Sequence, residues 1–233
     1  MNLLAIDTST DTLFVAVQHG AAVWQHSGPG AQQSSAQLLP AIRQLMRDAG
    51  LDFKQLDAIV FGRGPGSFTG LRTACAITQG LAFAAKVPVL PVDTLLAVAE
   101  EARELHGCTE LVAVLDARMH EVYHAQFRFE HGEWIAPEDF GLCAPDALSV
   151  PAGLSVAGNA QGMYPELLAP GARHVPAMPT ATAMLRLAPV LLAKGCAVPA
   201  EQALPRYIRD KVAQTTAERE AAKAAAQAAN AAP

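Results

Sequence analysis

Leu3-Leu4-Ala5-Ile6-Asp7-Thr8-Ser9-Thr10-Asp11, followed after Thr12 by Leu13-Phe14-Val15-Ala16-Val17-Gln18, is the stretch that decides the architecture. A short apolar run closes on a polar turn of acids and hydroxyls, and a second run rich in β-branched residues follows. Gly20 then turns the chain, and Ala21 to Gln25 forms a third run. The spacing predicts three strands joined by hairpins.

Further along, the period changes. Ser27 to Ser35 reads as a loop, after which Leu38, Leu39, Ile42, Leu45, Met46 and Ala49 recur at helical spacing, with Gly50 where a helix ends. Ala58 to Phe61 is a buried strand that enters a glycine-rich segment, Gly62 to Gly70, and a long helix then runs to about Ala85. Val87 to Val92 and Thr94 to Leu105 repeat the strand–helix pair. Three hairpin-linked strands followed by alternating helices and strands predict an α/β lobe of the ribonuclease H type over residues 1–108. A smaller second lobe is expected over 109–213, with strands at Leu111 to Leu115, Glu121 to Phe129 and Leu154 to Ala157, and a helix at Thr182 to Lys194. Residues 214–233, mostly Ala with Glu, Lys, Arg, Gln and Asn, have no apolar face to bury and read as a frayed tail.

The chain has 233 residues, 51% hydrophobic and 17% charged, enough to bury a large core. Its net charge of -5 argues against a protein that grips RNA by itself, because neutralised phosphates supply most sequence-independent affinity. Cys75, Cys108, Cys143 and Cys196 are widely spaced and read as reduced, mostly buried thiols. With no cleavable leader pattern at Met1 to Asp7 and no long apolar run, the expectation is a soluble cytoplasmic protein without a membrane partner.

Gly62-Arg63-Gly64-Pro65-Gly66-Ser67-Phe68-Thr69-Gly70-Leu71-Arg72 has the look of a phosphate cradle, but the specific templates fail. A Walker A loop needs a lysine that is missing, and the dinucleotide fingerprint meets Thr69 where it wants its third glycine. A tight turn with Ser67 or Thr69 capping the next helix fits as well. His120-Glu121-Val122-Tyr123-His124 matches H-E-x-x-H, which holds zinc only on a helix. Here Tyr123, Ala125, Phe127 and Phe129 alternate with polar residues, so the segment is a strand and its histidines stand roughly 13 Å apart. Asp7, Ser9 and Thr10 form a turn placed like a phosphate loop.

Together these pieces resemble the TsaB (YeaZ) family. The resemblance rests on Ile6-Asp7-Thr8-Ser9, Leu38-Leu39-Pro40, Gly64 to Arg72, Asp116-Ala117-Arg118, Glu121-Val122-Tyr123 and Pro205-Arg206-Tyr207-Ile208-Arg209, in order over residues 1 to about 210. It implies a fold of the actin, Hsp70 and sugar-kinase (ASKHA) superfamily with a reduced second lobe. It also implies an accessory, non-catalytic role in attaching threonylcarbamoyl to adenosine 37 of tRNAs that read ANN codons. The implied partners are the catalytic subunit TsaD, as a heterodimer, and the ATPase TsaE, with tRNA reached only through the complex. A homodimer of the isolated chain stays open. Where TsaD carries an H-x-x-x-H metal pair, this chain has Thr94 and Val98, so neither metal nor cofactor is expected. The second phosphate loop of the superfamily is replaced by Asp116-Ala117-Arg118-Met119, which leaves Asp7, Ser9 and Thr10 as a vestigial first loop. Ser34 stands where many relatives have His. An active kinase or ATPase of the same superfamily, and a metalloprotease, are the competing readings.

A partner surface is predicted on two helices. Leu38, Leu39, Ile42, Leu45 and Met46 supply the first, and Thr69, Arg72, Thr73, Ala76, Ile77, Gly80 and Ala84 the second. The second helix lacks acids, and Ala76, Gly80 and Ala84 form a ridge of small residues that lets another helix come close.

Overall fold

The computed structural model describes residues 1–30 and 34–209. The expected tail at 214–233 lies outside them, as does part of the loop before the first helix. Strands β1 (Asn2–Asp7), β2 (Thr12–His19) and β3 (Ala22–Pro29) form the predicted hairpins, with β3 running four residues further than expected. Helix α1 (Ser34–Asp48) leads to β4 (Ala58–Gly64), α2 (Phe68–Ala85), β5 (Val89–Asp93) and α3 (Thr94–His106). The first sheet has the order β3-β2-β1-β4-β5. β1 is antiparallel to β2 and parallel to β4.

The second half builds β6 (Glu110–Asp116), β7 (Val122–Glu130), β8 (Glu133–Ile135), β9 (Gly141–Cys143), β10 (Ser155–Gly158), β11 (Arg173–Pro176) and α4 (Ala181–Ala193). Its order, β11-β10-β6-β7-β8 with β9 also on β7, repeats the first sheet. β6 is antiparallel to β7 and parallel to β10, as β1 is to β2 and β4. The turn after β1 and the turn after β6 are therefore equivalent positions in two copies of one topology.

Side-chain parity divides the core. On one face of the first sheet Leu4, Ile6, Val15, Val17, Ile59 and Phe61 pack on α1 and α2. On the other face Leu3, Ala5, Ala16, Val60 and Val92 meet α3 and α4, which in turn cover Leu111, Ala113, Leu115, Ala125 and Phe127 of the second sheet. Strands buried on both faces need continuous apolar runs, and β1 has one: Leu3 to Ile6 are all 0% exposed. The outer face of the second sheet is covered by short turns and loop residues such as Leu148, Ala160 and Leu168, where the first sheet has two helices. That is the reduction expected of the second half.

A buried carboxylate ties the middle layer together. Glu100 of α3, 2% exposed, accepts from Arg103 (2.8 and 3.0 Å), Trp134 Nε1 (2.9 Å) and Arg186 Nε (3.1 Å) of α4. Burial acts to raise its pKa, but these donors outweigh it and hold the carboxyl below its ordinary value. Of the cysteines, Cys75 and Cys108 are buried, Cys143 is half-buried and Cys196 is exposed, so the expectation of mostly buried thiols holds for two of four.

Candidate functional site

The ends of β1 and β6 face each other across a cleft of about 340 Å³, walled by Ser9 to Asp11 and the start of α2 on one side and by Leu115 to Met119 on the other. Asp7 sits behind the first wall, 0% exposed. The amide and hydroxyl of Ser9 donate to its Oδ1 at 2.9 and 2.7 Å, while Oδ2 has no partner. Burial pushes the carboxyl up to about 7, and the two Ser9 bonds only partly oppose it.

The glycine-rich segment lies on this turn. Ser67 donates its amide to Ser9 O (2.7 Å), and Thr8 Oγ1 donates to Gly70 O (2.6 Å). A Cβ on Gly62 would stand 1.9 Å from Asp7 Oδ2, on Gly66 2.6 Å from Ser9 O, and on Gly70 1.8 Å from Thr8 O. Gly66 and Gly70 let backbone meet backbone, and Gly62 leaves room for the Asp7 carboxylate. Ser67 caps α2, its hydroxyl accepting from the Gly70 amide at 3.4 Å.

The opposite wall takes a conformation that suits glycine but carries side chains. Arg118, Met119 and His120 all have positive φ, of 60°, 54° and 59°. Each such residue costs on the order of 1–2 kcal/mol. Local bonds hold the turn: Ala117 N to Glu121 O (2.9 Å), Glu121 N to Arg118 O (3.1 Å) and Arg118 N to Asp116 Oδ1 (3.0 Å). Tyr164 Oη and the Asn159 side chain brace the same Asp116. Arg118 then crosses the cleft to both oxygens of Asp11, at 2.5 and 2.6 Å. A guanidinium and an acid thus span the mouth of the cleft.

The metal readings fare no better. Thr94 and Val98 are fully buried; Thr94 Oγ1 accepts the Gly64 amide at 3.2 Å, and Val98 belongs to the apolar core. An engaged hydroxyl and an alkyl side chain do not fit a metal that wants two imidazoles. His124 lies on β7, as the alternation requires, against Gly141, where a Cβ would stand 2.2 Å from its Nε2. Burial lowers its pKa and favours the neutral ring. His120 precedes the strand, edge-on to Tyr164 at 5.3 Å. Among the described residues no three of His, Cys, Asp and Glu come together as a metal site.

The predicted partner surface divides. Leu38, Ile42, Leu45 and Met46 are buried under the first sheet at 7% exposure or less, so they form core and cannot meet a partner; of the α1 set only Leu39 is exposed. An amphipathic stripe tells that one face is covered without telling by what. On α2, by contrast, Thr69, Arg72, Ala76, Gly80 and Ala84 are exposed, and Thr73 and Ile77 half-buried. Nothing lies within 4 Å of where a Gly80 Cβ would be. Phe83, 78% exposed, adds an apolar side chain to the helix surface that sequence reading passed over. Its signal was present, since a phenylalanine off the buried stripe of a helix has no core to join.

Reading the sequence also missed the contacts of residues 205–209. Tyr207 stacks on Phe68 with ring centroids 5.3 Å apart, its hydroxyl accepts from Arg72 Nε (3.0 Å), and Arg72 lies over Phe68 at 3.8 Å. Arg209 pairs with Glu121. Arg63 forms a two-pronged pair with Asp93 at 2.7 and 3.0 Å. Apart from the Arg72–Phe68 contact within α2, each joins residues far apart in the chain, and no local pattern announces it.

Comparison with known proteins gives the family. Residues 29–232 match the family model described as TsaD, tRNA N6-adenosine threonylcarbamoyltransferase. The chain is 34% identical to the tRNA threonylcarbamoyladenosine biosynthesis protein TsaB of Haemophilus influenzae, over 91% of this chain and 95% of that one. It is 33% identical to TsaB of Escherichia coli, over 91% and 96%. Among solved structures, YeaZ from Pseudomonas aeruginosa superposes with a TM-score of 0.82 at 38% identity, covering 89% of this chain and 99% of that one.

Proposed function

Since the chain belongs to the TsaB family, we propose that it serves tRNA N6-threonylcarbamoyladenosine biosynthesis as a non-catalytic subunit that pairs with TsaD and works with the ATPase TsaE. The observation that carries this reading is the turn after β6 that walls the cleft. Where a nucleotide-using relative would need glycines and open backbone amides, this chain sets Arg118 and Met119, and Arg118 is joined to Asp11 across the mouth. The TsaD-type model match names a transferase, but Thr94 and Val98 take the places of its metal-holding histidines. The exposed face of α2, with Ala76, Gly80 and Ala84 in line and Phe83 beside them, is the surface that supports pairing with TsaD. A chain of this net charge meets tRNA through its partners, in the cytoplasm where tRNA is modified. No helix among the described residues is long and apolar enough to cross a membrane.

The test is to purify the chain alone and with TsaD, with and without TsaE and nucleotide, and to measure ATP hydrolysis in each. The reading expects a stable pair with TsaD and no turnover by the chain alone. Turnover that Asp7→Ala abolishes would establish a working nucleotide site and overturn it.

A further inference from the structure

The last described residues run into the cleft and touch both of its sides. Arg206 donates its amide to Arg63 O at the end of β4 (2.6 Å), and its guanidinium reaches Asp93 at the end of β5 (3.4 Å). The same guanidinium donates to Glu138 O (2.7 Å) and lies over the Phe140 ring at 4.2 Å, both on the segment that feeds β9 of the second sheet. Tyr207 binds the start of α2 through Phe68 and Arg72. Ile208 packs against the apolar layer between the sheets. Arg209, its side chain 12% exposed, joins Glu121 and donates to Arg118 O at 3.4 Å, on the turn after β6.

We propose that residues 205–209 are an internal strap that sets the angle between the two sheets, holding the cleft at a fixed opening without any bound ligand. A seat is built for it. Gly64, at φ 118°, would place a Cβ 2.6 Å from Arg206 O, so a residue with a side chain there would push the strap out. The only other cross-cleft tie described above is the Arg118–Asp11 pair, whose side chains are 60% and 67% exposed. Solvent and salt screen such a pair, and it contributes little. Arg206 and Arg209 are instead largely shielded, at 25% and 12%, and each is fixed by several partners. With α3 and α4 packed between the sheets, the strap rather than the exposed pair is the firm tie at the cleft itself. This inference rests on the fold alone and stands apart from the role in tRNA modification.

Hydrogen exchange on the full chain tests it. The informative amides are Ser67, bonded to Ser9 O on one wall, and Ala117 and Glu121 on the other; Ala16 and Ala125 inside the sheets serve as references. Arg206→Ala, Arg209→Ala and the double change should speed exchange at the wall amides by about tenfold or more while the references keep their rates. Arg118→Ala should change the wall amides by less than about threefold. Wild-type rates at the walls of the strap variants would overturn the proposal, as would equal loosening by Arg118→Ala, or a uniform rise that includes the references. If the double variant does not fold, Arg209→Ala alone is read by the same criteria.

Discussion

Gly70 and Gly80 sit ten residues apart on one helix and have opposite surroundings. A Cβ on Gly70 would lie 1.8 Å from Thr8 O, while one on Gly80 would meet nothing within 4 Å. Gly70→Ala should therefore destabilise the isolated chain by about 3 kcal/mol or more, since backbone cannot yield as a side-chain tip can. Gly80→Ala should stabilise it by roughly 0.5–1 kcal/mol, because alanine loses less entropy in a helix. Urea melts of the two variants check both signs. Asp7 gives a second residue-level expectation. Its folded pKa of about 7 lies above the unfolded 3.8, so the folded chain holds an extra proton between those values. Stability should fall as pH rises through that window, by up to about 4 kcal/mol at ~1.4 kcal/mol per unit. Asp7→Asn keeps an acceptor for the Ser9 amide and should flatten the profile between pH 4 and 8. A variant that loses stability with pH as the wild type does would show that another group is responsible. The sequence marked Asp7 as a site, and its tight packing against Gly62 explains the glycine there. Which group the glycine-rich segment approaches was not legible, because glycines signal a close approach without naming the atom approached.

Among the elements, α2 divides into a buried and an open face. Leu71, Ala74, Cys75, Thr78 and Ala82 face the sheet, and Arg72, Ala76, Gly80, Phe83 and Ala84 face outward. The absence of acids along the helix gave this away in the sequence, because an ordinary solvent face carries both signs of charge. Ala76→Arg or Ala84→Arg should leave the melting curve of the isolated chain within about 0.5 kcal/mol, as expected of exposed positions. In the pair with TsaD each would bury an unpaired charge, at a cost of about 3–5 kcal/mol, and pull-down should fail. A folded variant that still pairs normally removes this surface from the account. The α1 stripe shows the limit of such reading, since Leu38, Ile42, Leu45 and Met46 have the spacing of a covered face and are covered by the chain's own sheet. Strand β7 was legible from the alternation of Tyr123, Ala125, Phe127 and Phe129 with polar residues, whereas β8 and β9, three residues each, are too short to show a period.

On the scale of the whole molecule, one topology occurs twice, and its equivalent turns face each other over a cleft lined by Arg118 and by Arg206 to Arg209. The first copy could be read from its hairpins and alternating elements. The second was only partly legible, because its outer layer is loop and its return helix α4 packs between the two sheets. The turn after β6 carries Arg118 and Met119 where a phosphate loop would be glycine-rich, which supports the proposed accessory role. The direct measurement is threonylcarbamoyladenosine formed on tRNA by purified TsaD and TsaE, with and without this chain, supplied with ATP and the threonylcarbamoyl donor. We expect no product from this chain alone, a strong rise when it joins TsaD and TsaE, and loss of that rise with Ala76→Arg. Product formed by the chain alone, or an undiminished yield when it is left out, would contradict the accessory role.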